Sequence, residues 1–444
     1  MGQRFLAFCD GFADHFRSRT RDVGLQSKQY LSGLMQARRK NMERMAEVVP
    51  ESDDQVLQHF LSNSTWDERA VLDQVALTVD GWLGGTPRSA LLIDESAITK
   101  KGRHSVGVAR QWNGRLGKVD NGQVGVFAAL SRGASATLID TRLYLPRCWV
   151  EDAKRCEAAG VPEAARQVKS KSQLALEMVR DNRRLGVRLR WVGMDGGDGK
   201  EPALLRALDD EGETFVADVH KDQVIDLDDP RPQVPPSPPG RGRKRTRRVA
   251  QTEPTRVDAW AQSQPESAWQ RLRLRDSTKG ELRVDVLHRQ VWLWDGQEAQ
   301  ARCWHLLVRR EVMAREEIKY SLSNAPAATP VKRLAQMQGQ RYWVERAFQA
   351  GKGQAGLDHY QARGWRAWHH HMALVMMAML FILQERLAAR DTYPLLSCAD
   401  VETLLAHLLP RRDVDLSELI RQLEVRHARR QASIDSANAK QQLE

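Results

Sequence analysis

The chain has 444 residues, of which 41% are hydrophobic, and carries a formal net charge of +11. A length of this size holds about three domains and a sizeable core, and the composition excludes wholesale disorder. The positive balance predicts a polyanionic partner, for which nucleic acid is the usual candidate.

The N-terminal MGQRFLAFCDGFADHF has acids inside its apolar stretch and does not read as a signal peptide. Its Met-Gly start has Leu at position 6, where myristoylation wants Ser or Thr. Residues 1–85 read as helical, because apolar residues recur there at three- and four-residue spacing, and are expected to form a DNA-binding domain. YLSGLMQARRKNMERMAEVV reads as one helix with Arg38, Arg39, Lys40 and Arg44 on a basic side, facing DNA or simply solvated. Ser64 and Thr65 before WDER look like a helix start.

At Ser89 the pattern changes. SALLIDE is a short apolar run ending in acids, and NGQVGVFAALS and ATLIDTRLYLP follow with turn signals between them. The three predict an antiparallel meander. Lys100, Lys101 and Arg103 lie in the basic, Gly-rich loop just after Asp94. They are expected to track DNA backbone, or else to form an exposed basic hairpin. A helix over Ser172–Arg184, a strand VRLRWVGMD ending in Asp195, a helix over Pro202–Asp210 and a strand TFVADV complete a mixed α/β unit. Residues 86–225 thus form the first part of a core.

From Asp226 to Thr255 the run PRPQVPPSPPG followed by RGRKRTRR predicts a flexible loop, because it cannot bury enough apolar surface to fold. Its cations either contact phosphates or serve as a solubilising linker. WQRLRLR, ELRVDVLHRQVWLW, ARCWHLLVRREV and EIKYSLSN then read as strands, so that 226–328 forms an insertion. Helices follow over 329–390 and in a C-terminal region, 391–444. The apolar run MALVMMAMLFIL from Met372 to Leu383 is too short to span a bilayer and reads as a core helix. His369, His370 and His371 are adjacent and point in different directions on a helix. They are expected at a helix boundary or on phosphate, not around a metal. Five scattered cysteines without a CxxC pair point to neither a disulfide framework nor a zinc ribbon, and a cytoplasmic location is expected. GMDGGDGK imitates a phosphate loop. The true motif needs Gly where Met194 stands and Ser or Thr where Glu201 stands.

The stretch RYWVERAFQAGK carries the chemistry. Arg341, Glu345 and Lys352 are spaced by four and then seven residues, which at about 3.6 residues per turn returns all three to one helix face. Alone this is a common solvated face. With Asp94 and Asp195 at the ends of two strands, where an open α/β sheet presents its functional groups, Glu345 completes a set of three acids. Such a set repels itself unless a cation sits within it, and Mg²⁺ prefers oxygen donors of this kind. Two such ions activate an attacking oxygen and stabilise a leaving one.

IDESAITKKGRHSVGVARQWNGRLGKVDNGQVGV, RLYLPRCWVEDAKRCEAAGVPE and YWVERAFQAGKGQAGLDHYQARGWRAWHHHMAL resemble the DDE transposases of bacterial insertion sequences, specifically the insertion-sequence 701 group. The likeness runs from the N-terminal helices to about residue 385. It implies a ribonuclease-H-like catalytic core with a β-rich insertion before the last acid, flanked by an N-terminal helical domain and C-terminal helices. It also implies cut-and-paste transposition that depends on two Mg²⁺ ions, with Mn²⁺ as a substitute. Double-stranded DNA, as terminal inverted repeats and as target, is the implied partner, with a homodimer in the synaptic complex and no membrane. Asp94, Asp195 and Glu345 match the family's metal-binding acids, and Arg341, Glu345 and Lys352 its R-x3-E-x6-K signature. Arg341 and Lys352 would then hold phosphates beside the scissile one. Tyr342 either stacks on an unpaired end base or packs in the core. Two positions depart from the family pattern. Gln338 stands where Tyr usually begins the signature, and MDGGDGK replaces a stretch like ADEAYG, which leaves Asp198 as a rival to Asp195. The other functions open to such a chain are a catalytically inactive, DNA-binding regulator derived from a transposase, and a nuclease with the same core.

Overall fold

The computed structural model describes residues 1–17, 21–114, 116–199, 201–236, 245–277 and 280–441. It divides into two compact units. The first comprises Met1–Val71, Ala350–Ala362 and Arg366–Glu444, and the second Leu72–Gln349 and Arg363–Trp365.

The second unit is mixed α/β and built on one ten-stranded sheet. Its first strands are β1 (Ser89–Thr99), β2 (Ala109–Asn113), β3 (Lys118–Arg132) and β4 (Ser135–Leu143). Then come β5 (Trp191–Met194) and β6 (Phe215–Val219), while β7 (Val224–Ile225) and β8 (Thr255–Arg256) form a small separate pair. The last are β9 (Gln270–Ser277), β10 (Gly280–Leu293), β11 (Arg302–Glu311) and β12 (Ile318–Ser323). The order in the sheet is β2-β3-β1-β5-β6-β12-β11-β10-β9, with β4 on β3. β1, β3 and β4 are the expected antiparallel meander. β1, β5 and β6 run parallel, and their near-continuous apolar sequences match strands buried on both faces. The four long strands of the 226–328 region, β9 to β12, are not a separate sheet. β12 pairs antiparallel with β6 and carries them on as a continuation of the same sheet. The helix Val331–Gln340 closes over them, placing Leu334 and Ala335 against Val284, Val286 and Leu307.

The loop ahead of these strands is pinned at its flanks. Gln233 and Val249 exchange backbone hydrogen bonds, Asp226 pairs with Trp292, and Thr252 Oγ1 donates to Asp226 at 2.6 Å. The expected flexible span is therefore shorter than Asp226–Thr255. Its middle, residues 237–244, lies outside the described residues.

The first unit is helical and packs around the helix Trp365–Ala388. This helix is long and apolar enough to cross a bilayer by length and composition, and 78% of its most apolar window is buried inside the protein. Phe5 meets Phe381 edge-on at 5.0 Å, and Trp66 stacks on His370 at 3.8 Å. His370 and His371 are fully buried, two turns into the helix. The His370 ring nitrogens meet the carbonyls of Leu61 and Trp66, while His371 meets the Tyr30 hydroxyl and the Gly356 carbonyl. They are core groups, and neither a helix boundary nor a phosphate contact.

The single basic helix expected over YLSGLMQARRKNMERMAEVV is two, Gly24–Gln36 and Met42–Val48. The break falls where Asn41 caps the second helix and Lys40 turns inward to the Leu34 carbonyl and Glu402, at 2.6 and 2.7 Å. Ser64 and Thr65 do not start a helix. Asp67 caps Glu68–Leu83 by accepting the Arg69 amide at 2.8 Å.

Candidate active site

Three strands place three acids at one level. Leu92 of β1 pairs with Gly193 of β5, and Met194 of β5 pairs with Ala217 of β6. Carrying both registers forward sets Asp94, Asp195 and Asp218 side by side where the parallel ladder ends. β1 does not stop at Asp94, as SALLIDE alone suggests. It runs on to Thr99 against β3, so the acid lies within the strand but at the end of its parallel pairing. Asp195 follows β5 and accepts the Gly197 amide at 2.9 Å, starting the short helix Gly196–Gly199. The glycines of this turn are a packing device. A Cβ on Gly199 would run into the Asp218 carbonyl, so the turn lies directly against β6 only because no side chain intervenes. The side chain of the rival acid, Asp198, lies outside the described residues.

Arg341 joins this row to the helix Tyr342–Gly353. Its Nε lies 3.2 Å from Asp218, one terminal nitrogen 3.4 Å from Asp94 and the other 3.4 Å from Glu345. The residue stands at the junction with the preceding helix, where the chain can aim it down at the sheet. The four-residue spacing from Arg341 to Glu345 thus forms the expected pair. Asp218 is the acid that sequence reasoning passed over. The signal was present, since TFVADV closes a strand with an acid just as SALLIDE and WVGMD do.

Gln338 has a role in this arrangement. Its amide donates to Ser321 Oγ and lies 3.5 Å from Asp218, and the Ser321 hydroxyl donates to Asp218 at 2.5 Å. Where the resembling family has Tyr, this chain builds a Gln–Ser–Asp chain that ends on Arg341.

The electrostatics follow from burial. Desolvation pushes the Asp94 carboxyl up to about 7, Arg341 pulls it down, and Asp195 and Glu345 push it up again. Among the described residues no three His, Cys, Asp or Glu side chains stand close enough to hold a metal ion as placed, and Arg341 lies between the carboxylates instead. The donor set nevertheless fits a hard cation. It is all oxygen, and burial of Asp94, with Asp195 and Glu345 nearby, raises the Asp94 carboxyl in the absence of a cation.

The other expected site residues are spread out. Lys101 and Arg103 are exposed in the loop beyond the far end of β1, which Asn121 ties down through the Lys100 and Gly102 carbonyls. Lys352 stands in the last turn of the Glu345 helix, in the first compact unit. Tyr342 is 39% exposed and so is not core. The Arg275 guanidinium lies over its ring at 4.4 Å from the centroid.

A family model described as DDE superfamily endonuclease matches residues 11–281, a span that contains Asp94, Asp195 and Asp218 and stops short of Arg341 and Glu345. The chain is also similar to the probable transposase for insertion sequence element IS701 of Microchaete diplosiphon. The two are 24% identical over 370 residues, covering 80% of this chain and 83% of that protein.

Proposed function

The chain belongs to the DDE superfamily endonucleases, and from that premise we propose that it is a DNA transposase that cuts phosphodiester bonds at transposon ends and joins the freed ends to target DNA. The observation that carries this reading is the level row of Asp94, Asp195 and Asp218, tied to Glu345 through Arg341. A ribonuclease-H-like core is part of it. The order β4-β3-β1-β5-β6 supports that, with an antiparallel meander feeding parallel strands.

Asp94, Asp195 and Glu345 would hold divalent cations, Mg²⁺ or Mn²⁺. Bound there, such ions activate the attacking oxygen and neutralise charge on the leaving one. The chain's own residues do the rest. Arg341, which Asp218 holds at 3.2 Å, would be the group left to face a phosphate were Asp94 and Glu345 to hold a cation. Tyr342 offers an exposed aromatic face at the same end of the helix. Lys352 is assigned to phosphate contact, as are Lys100, Lys101 and Arg103 along the duplex backbone. Two ends must be brought together, so a homodimer on paired terminal repeats belongs to the proposal.

The test is cleavage of a linear DNA carrying the inverted repeats that flank the gene, with Mg²⁺. Glu345→Gln is expected to keep DNA binding and to cut at least about a hundredfold more slowly. Undiminished Mg²⁺-dependent cutting by this variant overturns the assignment. Cuts without strand-transfer products from the unaltered protein would make it a nuclease, and binding without cuts a regulator.

A further inference from the structure

Beside the acid row lies a cation without a counterpart. Arg309, on β11, is 7% exposed and makes no hydrogen bond or ion pair with any described residue. It faces the helix Val331–Gln340 at Gly339, where an added Cβ would stand 3.6 Å from its guanidinium and 3.2 Å from Leu274. The absence of a side chain there lets the helix lie close against both. The attractions it feels come from Asp218 and Glu311, while Arg341 and Arg275 repel it. Asp218 is already occupied by Ser321 and Arg341.

Arg275, on the edge strand β9, is half-buried. Its guanidinium is stacked over Tyr342 and Trp343, at 4.4 and 5.0 Å from the ring centroids, and its Nε is enclosed with no partner. A desolvated guanidinium without a hydrogen-bonded acceptor is costly, and arginine's planar fork is the group that binds phosphate through paired N–H donors. Arg309 is such a group, and with the stacked Arg275 and with Arg341 near it, it describes a place prepared for an anion.

We propose that Arg309 and Arg275 form a phosphate-binding point, taking the non-bridging oxygens of a DNA backbone phosphate next to the acid row, with Tyr342 and Trp343 as its wall. The strands of the 226–328 region then hold substrate as well as extending the sheet. The proposal rests on the reading of DNA as substrate, but not on the chemistry assigned to Glu345.

The experiment uses the full chain and a fluorescein-labelled, mixed-sequence 30-bp duplex, titrated at several KCl concentrations. Arg309→Met keeps the apolar stem and removes the charge. It is expected to melt higher than the unaltered protein without DNA, because an uncompensated buried cation is gone. It should bind the duplex roughly tenfold more weakly at about 0.1 M salt, and its log K against log salt should be shallower by about 0.9. A lower melting temperature with an unchanged salt slope shows a structural arginine and overturns the proposal. Should Arg309→Met fail to fold, Arg275→Met at the sheet edge carries the same test, and an unchanged slope there is equally fatal. Glu345→Gln in the cleavage assay separates the two readings. Retained cutting removes the function proposed above and leaves the salt slopes to be judged by themselves.

Discussion

At Asp94 function and stability pull in opposite directions. Its carboxyl is held up near 7 against an ordinary value of 3.8, chiefly by burial. A carboxyl raised in the folded state binds its proton more tightly there than in the unfolded chain. The associated cost is therefore absent below about pH 4, grows as pH rises, and is complete above about 7. Asp94→Asn removes the ionisable group and is expected to stabilise the metal-free protein by roughly 2–4 kcal/mol at pH 8, and by little at pH 4. Urea denaturation across that range measures both. A gain that is constant with pH would place the effect in packing instead. Added Mg²⁺ should raise the midpoint of the unaltered protein at pH 8 and not that of the variant, because the cation satisfies the charge that the substitution deletes.

The turn between β5 and the helix Pro202–Asp210 shows how an element fixes the site. Gly199 lies where a Cβ would strike the Asp218 backbone, whereas a Cβ on Gly196 would only touch the His220 ring at 3.4 Å. Gly199→Ala is expected to cost roughly 2–4 kcal/mol and to displace Asp195 relative to Asp218, lowering cleavage more than DNA binding. Gly196→Ala should stay within about 0.5 kcal/mol of the unaltered protein. Thermal melts of the two variants side by side decide it, and equal losses would mean that the close approach to β6 is not what the glycine provides. The same turn marks how much could be read in the sequence. Acids at strand ends, and the Arg341–Glu345 spacing, are local patterns, and they point to strands and a helix that the fold brings together. Where β1 ends is set by β3, some thirty residues away, and neither the register that aligns Asp218 with Asp195 nor the approach that demands Gly199 is a local property. The broken basic helix was hidden for a like reason. Lys40 turns inward because Glu402, far along the chain, waits for it.

On the scale of the whole chain, the helical unit is assembled from segments distant in sequence. Its N-terminal helices depend on the C-terminal part for their core. Phe5 packs on Phe381, Trp66 on His370 and Tyr30 on His371, while Arg4 pairs with Glu385 at 2.6 Å and the buried Lys40 with Glu402 at 2.7 Å. Losing a single buried aromatic contact of this kind costs about 3–5 kcal/mol, and a domain's whole stability is about 5–15 kcal/mol. A fragment of residues 1–71 would leave Lys40 as a buried charge without its carboxylate and would expose Phe5, Tyr30 and Trp66 together. It is expected to show helical circular dichroism well below that of the same residues in the full chain, and no cooperative thermal transition. Co-expression with residues 350–444 should restore both. A sharp melt of 1–71 alone, near the temperature of the intact protein, would show that these helices carry a sufficient core of their own. Since the Glu345 helix begins in one compact unit and ends in the other, the co-expressed pair should bind no better to the duplex probe than its own surface charge allows. It also lacks Asp94, Asp195, Arg275 and Arg309, so any Mg²⁺-dependent cutting by it would contradict the placement of the site in the sheet.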